Sequence, residues 1–348
     1  MKNRDLLSLP FSSSPSILVL RPDRLGDFIL SIPALMELEK RAGPGARLTI
    51  VAGERNADIA RFFFPKAQVL VFRKSIVGRF FLFARLWSGR YDVTLDFHSY
   101  PFSTTSALMA LLSGSPCRIG FLDSGGYKEL SKKVFNLVVP PPGENLPEKE
   151  KSFLLVKKLF PRASSSGKSF PVPALPRDVQ SRVESFTQPM KLGRKDRVVG
   201  LHPTLQKEDN RWSQERYVEL INQLRRNPNV KIVLVHGKGE GSELERFKGA
   251  LGDLQGVFVL PANDILFILG VVQGFDLFAC GDSGLAHLAA LVTRVLAIFG
   301  PSDPRRWGPL ETTMGKPKIF RKKDWLCDSV TSLEVAKEIQ KTLKRAKG

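Results

Sequence analysis

The sequence predicts an α/β protein built from two Rossmann-like, doubly wound domains facing across a cleft. Three observations carry that prediction. Short β-branched runs alternate with helical stretches through the first half, the signature of a parallel sheet covered on both faces. The alternation breaks in a stretch rich in proline and serine, then restarts in the second half. The length, 348 residues, exceeds what one core usually supports, since domains typically run ~100–200 residues.

In order, the first half opens with an apolar strand over 17–20, a polar loop over 21–27 and a helix over 28–41. Further strands are expected over 48–52, 69–72 and 93–97, with helical segments between them. The texture changes at Pro140-Pro141-Pro142-Gly143; a basic helix near 149–159 and a serine-rich run over 162–168 follow. Such composition reads as loop or linker, so the domains are expected over 1–175 and 196–348, joined by a linker over 176–195. In the second half the strands fall over 198–201, 232–235, 257–260, 277–280 and 295–299. Helices fall over 214–225, 285–292 and, closing the chain, 332–344, with Leu333, Ile339 and Leu343 on the apolar positions. Ligands of such domains bind between them or at the carboxyl ends of the strands.

The net charge is +19, which draws anions: phosphates, acidic lipid headgroups or nucleic acid. The densest basic run, 316–323, includes Lys318, Arg321 and Lys322. No nucleic-acid-binding signature accompanies the charge, so a nucleic-acid partner is not expected. Three cysteines at unrelated spacings make no disulfide framework or zinc knuckle and fit reduced, cytosolic thiols. Asp5 and Pro10 interrupt what would be a signal-peptide apolar region, and no run of ~18 apolar residues predicts a membrane span. A cytoplasmic protein is expected.

Four segments carry polar residues where a strand gives way to a helix. In Cys280-Gly281-Asp282-Ser283-Gly284-Leu285-Ala286-His287, unpaired N–H groups at the helix start can bind a diphosphate, and glycine lets it approach closely. His287 lies one turn beyond Ser283 on the same helical face; the plain alternative makes Asp282 or Ser283 a cap. In Gly200-Leu201-His202-Pro203-Thr204 followed by Asn210-Arg211-Trp212-Ser213, Arg211 can meet a phosphate with its planar fork; alternatively Ser213 caps the helix and Trp212 packs at a domain edge. Phe299-Gly300-Pro301-Ser302-Asp303-Pro304 is a stiff loop at the same sheet edge, or a simple turn. In Arg21-Pro22-Asp23-Arg24-Leu25-Gly26-Asp27, Asp27 can act as a general base or as a cap whose helix dipole would weaken it as a base. The glycine-rich 236–242 stretch lacks the ending of a phosphate-binding P-loop. There is no Asp-x-Asp pair, and the four histidines show no metal-ligand spacing, so no metal site is expected.

Together and in order, these segments resemble glycosyltransferase family 9, the ADP-heptose:lipopolysaccharide heptosyltransferases of bacteria. The resemblance rests on Arg24-Leu25-Gly26-Asp27 leading into Ile32-Pro33-Ala34-Leu35, on Arg211-Trp212, and on Gly281-Asp282-Ser283-Gly284-Leu285-Ala286-His287 with Phe299 to Pro304 and Trp307-Gly308-Pro309. It covers about 290 residues. It implies a GT-B fold and an inverting, metal-independent transfer of a heptose-type sugar from ADP-heptose to a lipopolysaccharide core or related lipid-linked glycan. No cofactor is implied, because the nucleotide-sugar is a substrate. By the same resemblance Asp27 is the base, with Arg24 and Gly26 on the acceptor side. Thr204, Arg211, Asp282, Ser283, Gly284 and His287 bind the donor, and Glu240, or alternatively Glu243, meets the ribose. Where many relatives carry a lysine, Asn210 stands here, leaving Arg211 or Lys207 to supply the charge; Ser213 replaces a usual proline. Residues 100–190 match no known motif, and acceptor specificity is expected there. Two other functions fit the architecture. A nucleotide-sugar epimerase would consume donor without acceptor, and a non-catalytic module would bind it without turnover.

One segment suggests a peripheral membrane contact at the inner face of the cytoplasmic membrane. Over 73–90, Phe80, Phe81, Phe83 and Trp87 stand among Lys74, Arg79 and Arg85, a combination found in interfacial helices that bind anionic lipid. Ile76, Phe80, Phe83 and Trp87 recur at helical spacing and are expected to face the core, with Phe81 and Leu82 beside the basic residues.

Overall fold

A computed structural model describes residues 14–98, 100–143, 145–164, 170–204, 210–261 and 264–345. The chain forms two compact units that divide between Gly167 and Lys168.

The first unit runs β1 (Ser16–Arg21), α1 (Leu25–Ala42), β2 (Arg47–Gly53), α2 (Ala57–Phe63), β3 (Gln68–Phe72), α3 (Ile76–Ser88), β4 (Val93–Asp96), α4 (Thr104–Leu112), β5 (Cys117–Phe121), α5 (Lys128–Val134), β6 (Leu137–Val139) and α6 (Glu148–Leu159). Its sheet has the order β3-β2-β1-β4-β5-β6, and all its pairings are parallel. Every residue of β1 is buried, as a strand covered on both faces requires. The apolar run over 17–20 is therefore the centre of the sheet.

The second unit runs α7 (Arg177–Thr187), β7 (Arg197–His202), α8 (Gln214–Leu224), β8 (Val230–Leu234), α9 (Gly241–Leu251), β9 (Val257–Val259), α10 (Ile265–Gln273), β10 (Leu277–Gly281), α11 (Gly284–Ala290), β11 (Val295–Ile298), α12 (Pro304–Trp307), β12 (Lys318–Phe320) and α13 (Ser332–Arg345). Its order, β12-β11-β10-β7-β8-β9, is the first sheet's order repeated. Both sheets therefore reverse direction between their first and fourth strands, the topological switch point where doubly wound folds bind ligands.

Several expectations change. Most of the predicted linker over 176–195 is structured: α7 packs on α10 and is followed by a 3-10 turn, Gln188–Met190. Its Val179 and Val183 crowd Gly270, where an added Cβ would lie 2.8 Å from Val183. Proline-rich flanks had disguised a helix whose apolar stripe is only a few residues wide. On α3 the buried residues are Leu82 and Leu86, with Phe83 partly covered, while Ile76, Phe80 and Trp87 are exposed. This helix is apolar nearly all round, so periodicity alone cannot tell which stripe the sheet takes. On α13, Leu333 is exposed, and Val335, Ala336, Ile339 and Leu343 make the packed stripe. Strands β5, β6 and β12 were not anticipated. β5 carries Arg118 and Gly120, β6 has three residues, and β12 lies inside the basic run over 316–323.

Candidate functional site

At the carboxyl edge of the first sheet, the end of β1 and the loop after β4 straddle the switch point. Arg21 is buried there and ties the local backbone together. Its Nη1 donates to the Phe97 carbonyl at 2.5 Å, and its Nε and Nη2 donate to the Asp27 carbonyl at 3.3 and 3.1 Å. The same guanidinium pairs with Asp23 at 3.1 Å and approaches Glu148 of α6 at 3.9 Å. Glu148 also holds the buried Lys151 at 2.6 Å. His98 Nδ1 lies 2.5 Å from Asp23 Oδ2, and the His98 N–H donates to Asp96, which also accepts from Ser106. The result is a largely buried cluster of alternating charge, in which Arg21, His98 and Lys151 each face a carboxylate.

Asp27 stands apart within it. The cap position of α1 is Arg24; Asp27 is the third residue of the helix and does not cap it. Its carbonyl is bonded, but its carboxylate has no hydrogen-bond partner among the described residues. Burial raises the Asp27 carboxyl above the ordinary aspartate range. Arg21 pulls the other way, while Asp23 and Glu148 push further up. Burial therefore outweighs the pull of Arg21. For Asp23 burial also acts upward, but Arg21 and then His98 reverse it and hold the carboxyl down. The His98 imidazole gains from Asp23 more than it loses by burial and moves up. Asp96, fully buried, is pushed to about 6.

The second sheet's edge is built differently. Glu240, just before α9, accepts on Oε2 from His202 Nε2 at 2.8 Å, from the Thr204 hydroxyl at 2.7 Å and from the Gly237 N–H at 2.7 Å. A side chain at Gly237 would crowd that carboxylate, since a Cβ there would stand 3.0 Å from it. Burial would raise the Glu240 carboxyl, but the His202 and Thr204 bonds outweigh it and bring it to about 2. Glu240 Oε1 has no partner among the described residues. On the far side of the imidazole, His202 Nδ1 lies 3.4 Å from the Ser283 hydroxyl. Ser283 also caps α11, accepting from the Ala286 N–H. Asn210 is buried and donates to Asp282 at 3.0 Å and to Ser302 at 3.1 Å, joining the turn after β10 to the loop after β11. His287 is buried, its Nδ1 lacks a partner among the described residues, and desolvation lowers its imidazole to about 4. It is neutral.

Thr204, Glu240, Asp282, Ser283 and Gly284 thus come together at one switch point, and Arg24, Gly26 and Asp27 at the other. Arg211 pairs with Glu243 of α9 at 3.2 Å and is partly exposed. Glu243, the alternative ribose contact, is occupied by that pair. Trp212 lies in the core, with its indole N–H donating to the Val330 carbonyl, and Ser213 caps α8. Lys207 lies outside the described residues. Among the described residues no three His, Cys, Asp or Glu side chains could hold a metal ion, and no helix is long and apolar enough to cross a membrane. Sequence reasoning missed His98, Glu148 and Lys151. Glu148 and Lys151 stand three apart on a basic helix, a weak signal with nothing to link it to Asp27 more than a hundred residues away.

The profile of glycosyltransferase family 9 (heptosyltransferase) matches residues 79–319. Lipopolysaccharide heptosyltransferase 1 of Escherichia coli (strain K12) is 32% identical over 108 residues, 31% of this chain and 33% of that protein. The chain thus spans about a third of that relative's length in the match. The structure of E. coli ADP-heptose LPS heptosyltransferase II superposes with a TM-score of 0.75 at 22% identity, over 96% of this chain and 100% of that one. E. coli heptosyltransferase WaaC with ADP gives 0.70 at 20% identity, over 94% and 99%. At these identities the structures establish the shared GT-B fold.

Proposed function

Because the chain belongs to glycosyltransferase family 9, we propose that it is an inverting heptosyltransferase that takes its sugar from ADP-heptose. The acceptor on this reading is a lipopolysaccharide core or related lipid-linked glycan, met at an anionic membrane through residues 73–90. The observation that carries the chemistry is the Asp27 carboxylate: unpartnered, at a switch point, held by Arg21 through its own carbonyl, and raised by burial. A carboxylate so placed can take a proton, which one tied into a cap cannot do as well.

Asp27 takes the proton of an acceptor hydroxyl as that oxygen forms its bond to the anomeric carbon. The bond from the anomeric carbon to the diphosphate oxygen breaks, and ADP leaves with the electron pair. One displacement inverts the anomeric centre. The second unit receives the leaving charge. Backbone N–H groups at Ser283 and Gly284 face the diphosphate, and the Ser283 hydroxyl turns its hydrogen bond from His202 Nδ1 to a phosphate oxygen, keeping its proton. Glu240 Oε1 accepts from ribose hydroxyls, its other oxygen being fixed by three donors. Asn210, in the place of a familial lysine, spends its amide N–H groups on Asp282 and Ser302 and so orders the two loops, and Arg211 supplies the nearby cation.

The test is ADP release from ADP-heptose with and without a lipid-linked core glycan. ADP formed only with acceptor, and a product of inverted anomeric configuration, support the reading. Consumption of ADP-heptose without acceptor would make the protein an epimerase, and binding without turnover a recognition module.

A further inference from the structure

We propose that α3 and α4 together form one membrane-insertion face, with apolar side chains from both helices entering an anionic leaflet. The inference rests on the reading above, in which residues 73–90 meet the membrane, and extends it to a second helix with named anchors.

The five most exposed large apolar residues of the described chain all lie on α3. They include Ile76 at 80%, Trp87 at 76%, Phe80 at 69% and Phe81 at 64% exposure. Soluble surfaces scatter such residues singly, and a cluster marks a contact. α3 packs on α4, and Leu82 and Leu86 share one buried cluster with Ala107, Met109 and Ala110. The outward face of α4 then presents Thr104, Thr105, Leu108 and Leu111. The whole of α4 carries no charged residue, although water-facing helices are normally charged on their outer side.

The charge around this face selects its occupant. Arg73, Lys74, Arg79, Arg85 and Arg90 are exposed, and no acidic residue occurs from 73 to 91. Of these five, only Arg73 forms an ion pair with a described residue, Glu54 at 3.6 Å. A second copy docking face to face would bring five cations against five. An anionic bilayer supplies both what the aromatic residues and what the cations need, an apolar interior under negative headgroups.

Vesicles of phosphatidylglycerol with phosphatidylcholine, and of phosphatidylcholine alone, test this with acyl chains brominated as quenchers. The indole of Trp87 reports on α3. Leu111→Trp in a Trp87→Phe background reports on α4, read as the difference from Trp87→Phe alone. Both sites are exposed, and thermal melting checks that each variant is folded. The expected result is quenching at both positions in anionic vesicles only, weakened by salt. Arg79→Glu with Arg85→Glu should lower vesicle affinity more than ~10-fold. Quenching of Trp87 without quenching at position 111 would overturn the two-helix face while leaving the 73–90 contact standing. Equal binding to neutral vesicles, or a dimer by light scattering without vesicle binding, would overturn both. Binding of ADP, measured separately by calorimetry, reports on the catalytic reading and is expected to be unaffected in every variant.

Discussion

The two sheets share one strand order and both place their polar residues at the switch point, yet the two edges handle charge in opposite ways. The first gathers Asp23, Asp27, Asp96 and Glu148 around Arg21, His98 and Lys151, an ionic cluster with one carboxylate left open. The second fixes its carboxylate with three donors, keeps His287 neutral, and links loop to loop through Asn210 and Ser302. Topology sets where a site forms, and the loops decide what it can do. An edge with an open, elevated carboxyl suits proton transfer. One rich in oriented, uncharged donors suits a ligand that brings its own negative charge.

The sharpest way to break that contrast is to neutralise the open carboxylate. Asp27→Asn should lower turnover by ~10²-fold or more, the scale of a lost general base, while ADP binding by calorimetry stays as in the parent. Near-normal turnover with acceptor would make Asp27 structural. The converse change belongs to the second unit. Gly284→Val puts a branched side chain at the first residue of α11, where a diphosphate needs close approach to the N–H groups. ADP affinity should fall by ~10-fold or more, about the effect of one lost charge-assisted hydrogen bond. Unchanged affinity in a folded variant would remove the diphosphate from this turn.

Much of this contrast is legible in the sequence, and the unread part has physical reasons. Strands buried on both faces appear as continuous apolar runs, so β1, β2, β7 and β10 announce themselves, and the polar residues after them follow. Asp27, Thr204 and Ser283 follow such runs, whereas Glu240 is implied only by the family resemblance. Glu148 follows no such run, and His98, although it directly follows the run over 93–97, has nothing local that ties it to Asp23. Glu148 reaches Arg21 from a helix late in the first unit, and His98 reaches Asp23 across two neighbouring strands. Long-range ionic contacts leave no local period to read. The face of α3 was misassigned for a related reason, since a helix apolar on every side carries no directional signal until its neighbours are known.

A smaller effect sharpens the second edge. The Glu240 carboxyl is held at about 2, below the ~4.3 of an unfolded glutamate. A depressed folded value means the carboxylate's stabilisation is complete above the unfolded pKa and is lost as pH falls toward the folded one. A shift of this size corresponds to roughly 3 kcal/mol. In urea unfolding, the stability gap between the parent and Glu240→Gln should therefore be widest near neutrality and narrow as pH falls below ~4. A gap that stays constant with pH would mean that the His202 and Thr204 bonds do not depend on the charge.

The smallest effect probes how the first edge tunes its base. As the proposed base Asp27 would have to lose its proton, so on that reading activity should rise with pH across its titration, and its raised carboxyl places that limb above the ordinary aspartate range. Burial is the main cause, but Asp23 and Glu148 add to it as neighbouring anions. Glu148→Gln removes one of those anions and leaves Lys151 without its carboxylate, while Arg21 keeps Asp23. Both changes favour ionised Asp27, so the acid limb of kcat/KM should move to lower pH while the maximum rate changes little. Glu148 is buried and paired, so a thermal melt must first show that the variant folds. Asp96, pushed by burial to about 6, is another buried carboxyl able to shape an acid limb. It contacts His98 and Ser106, with no hydrogen bond to Asp27. Asp96→Asn should therefore leave the limb in place. A limb that ignores Glu148→Gln and vanishes in Asp96→Asn would transfer the titration from Asp27 to Asp96, and with it the assignment of the base.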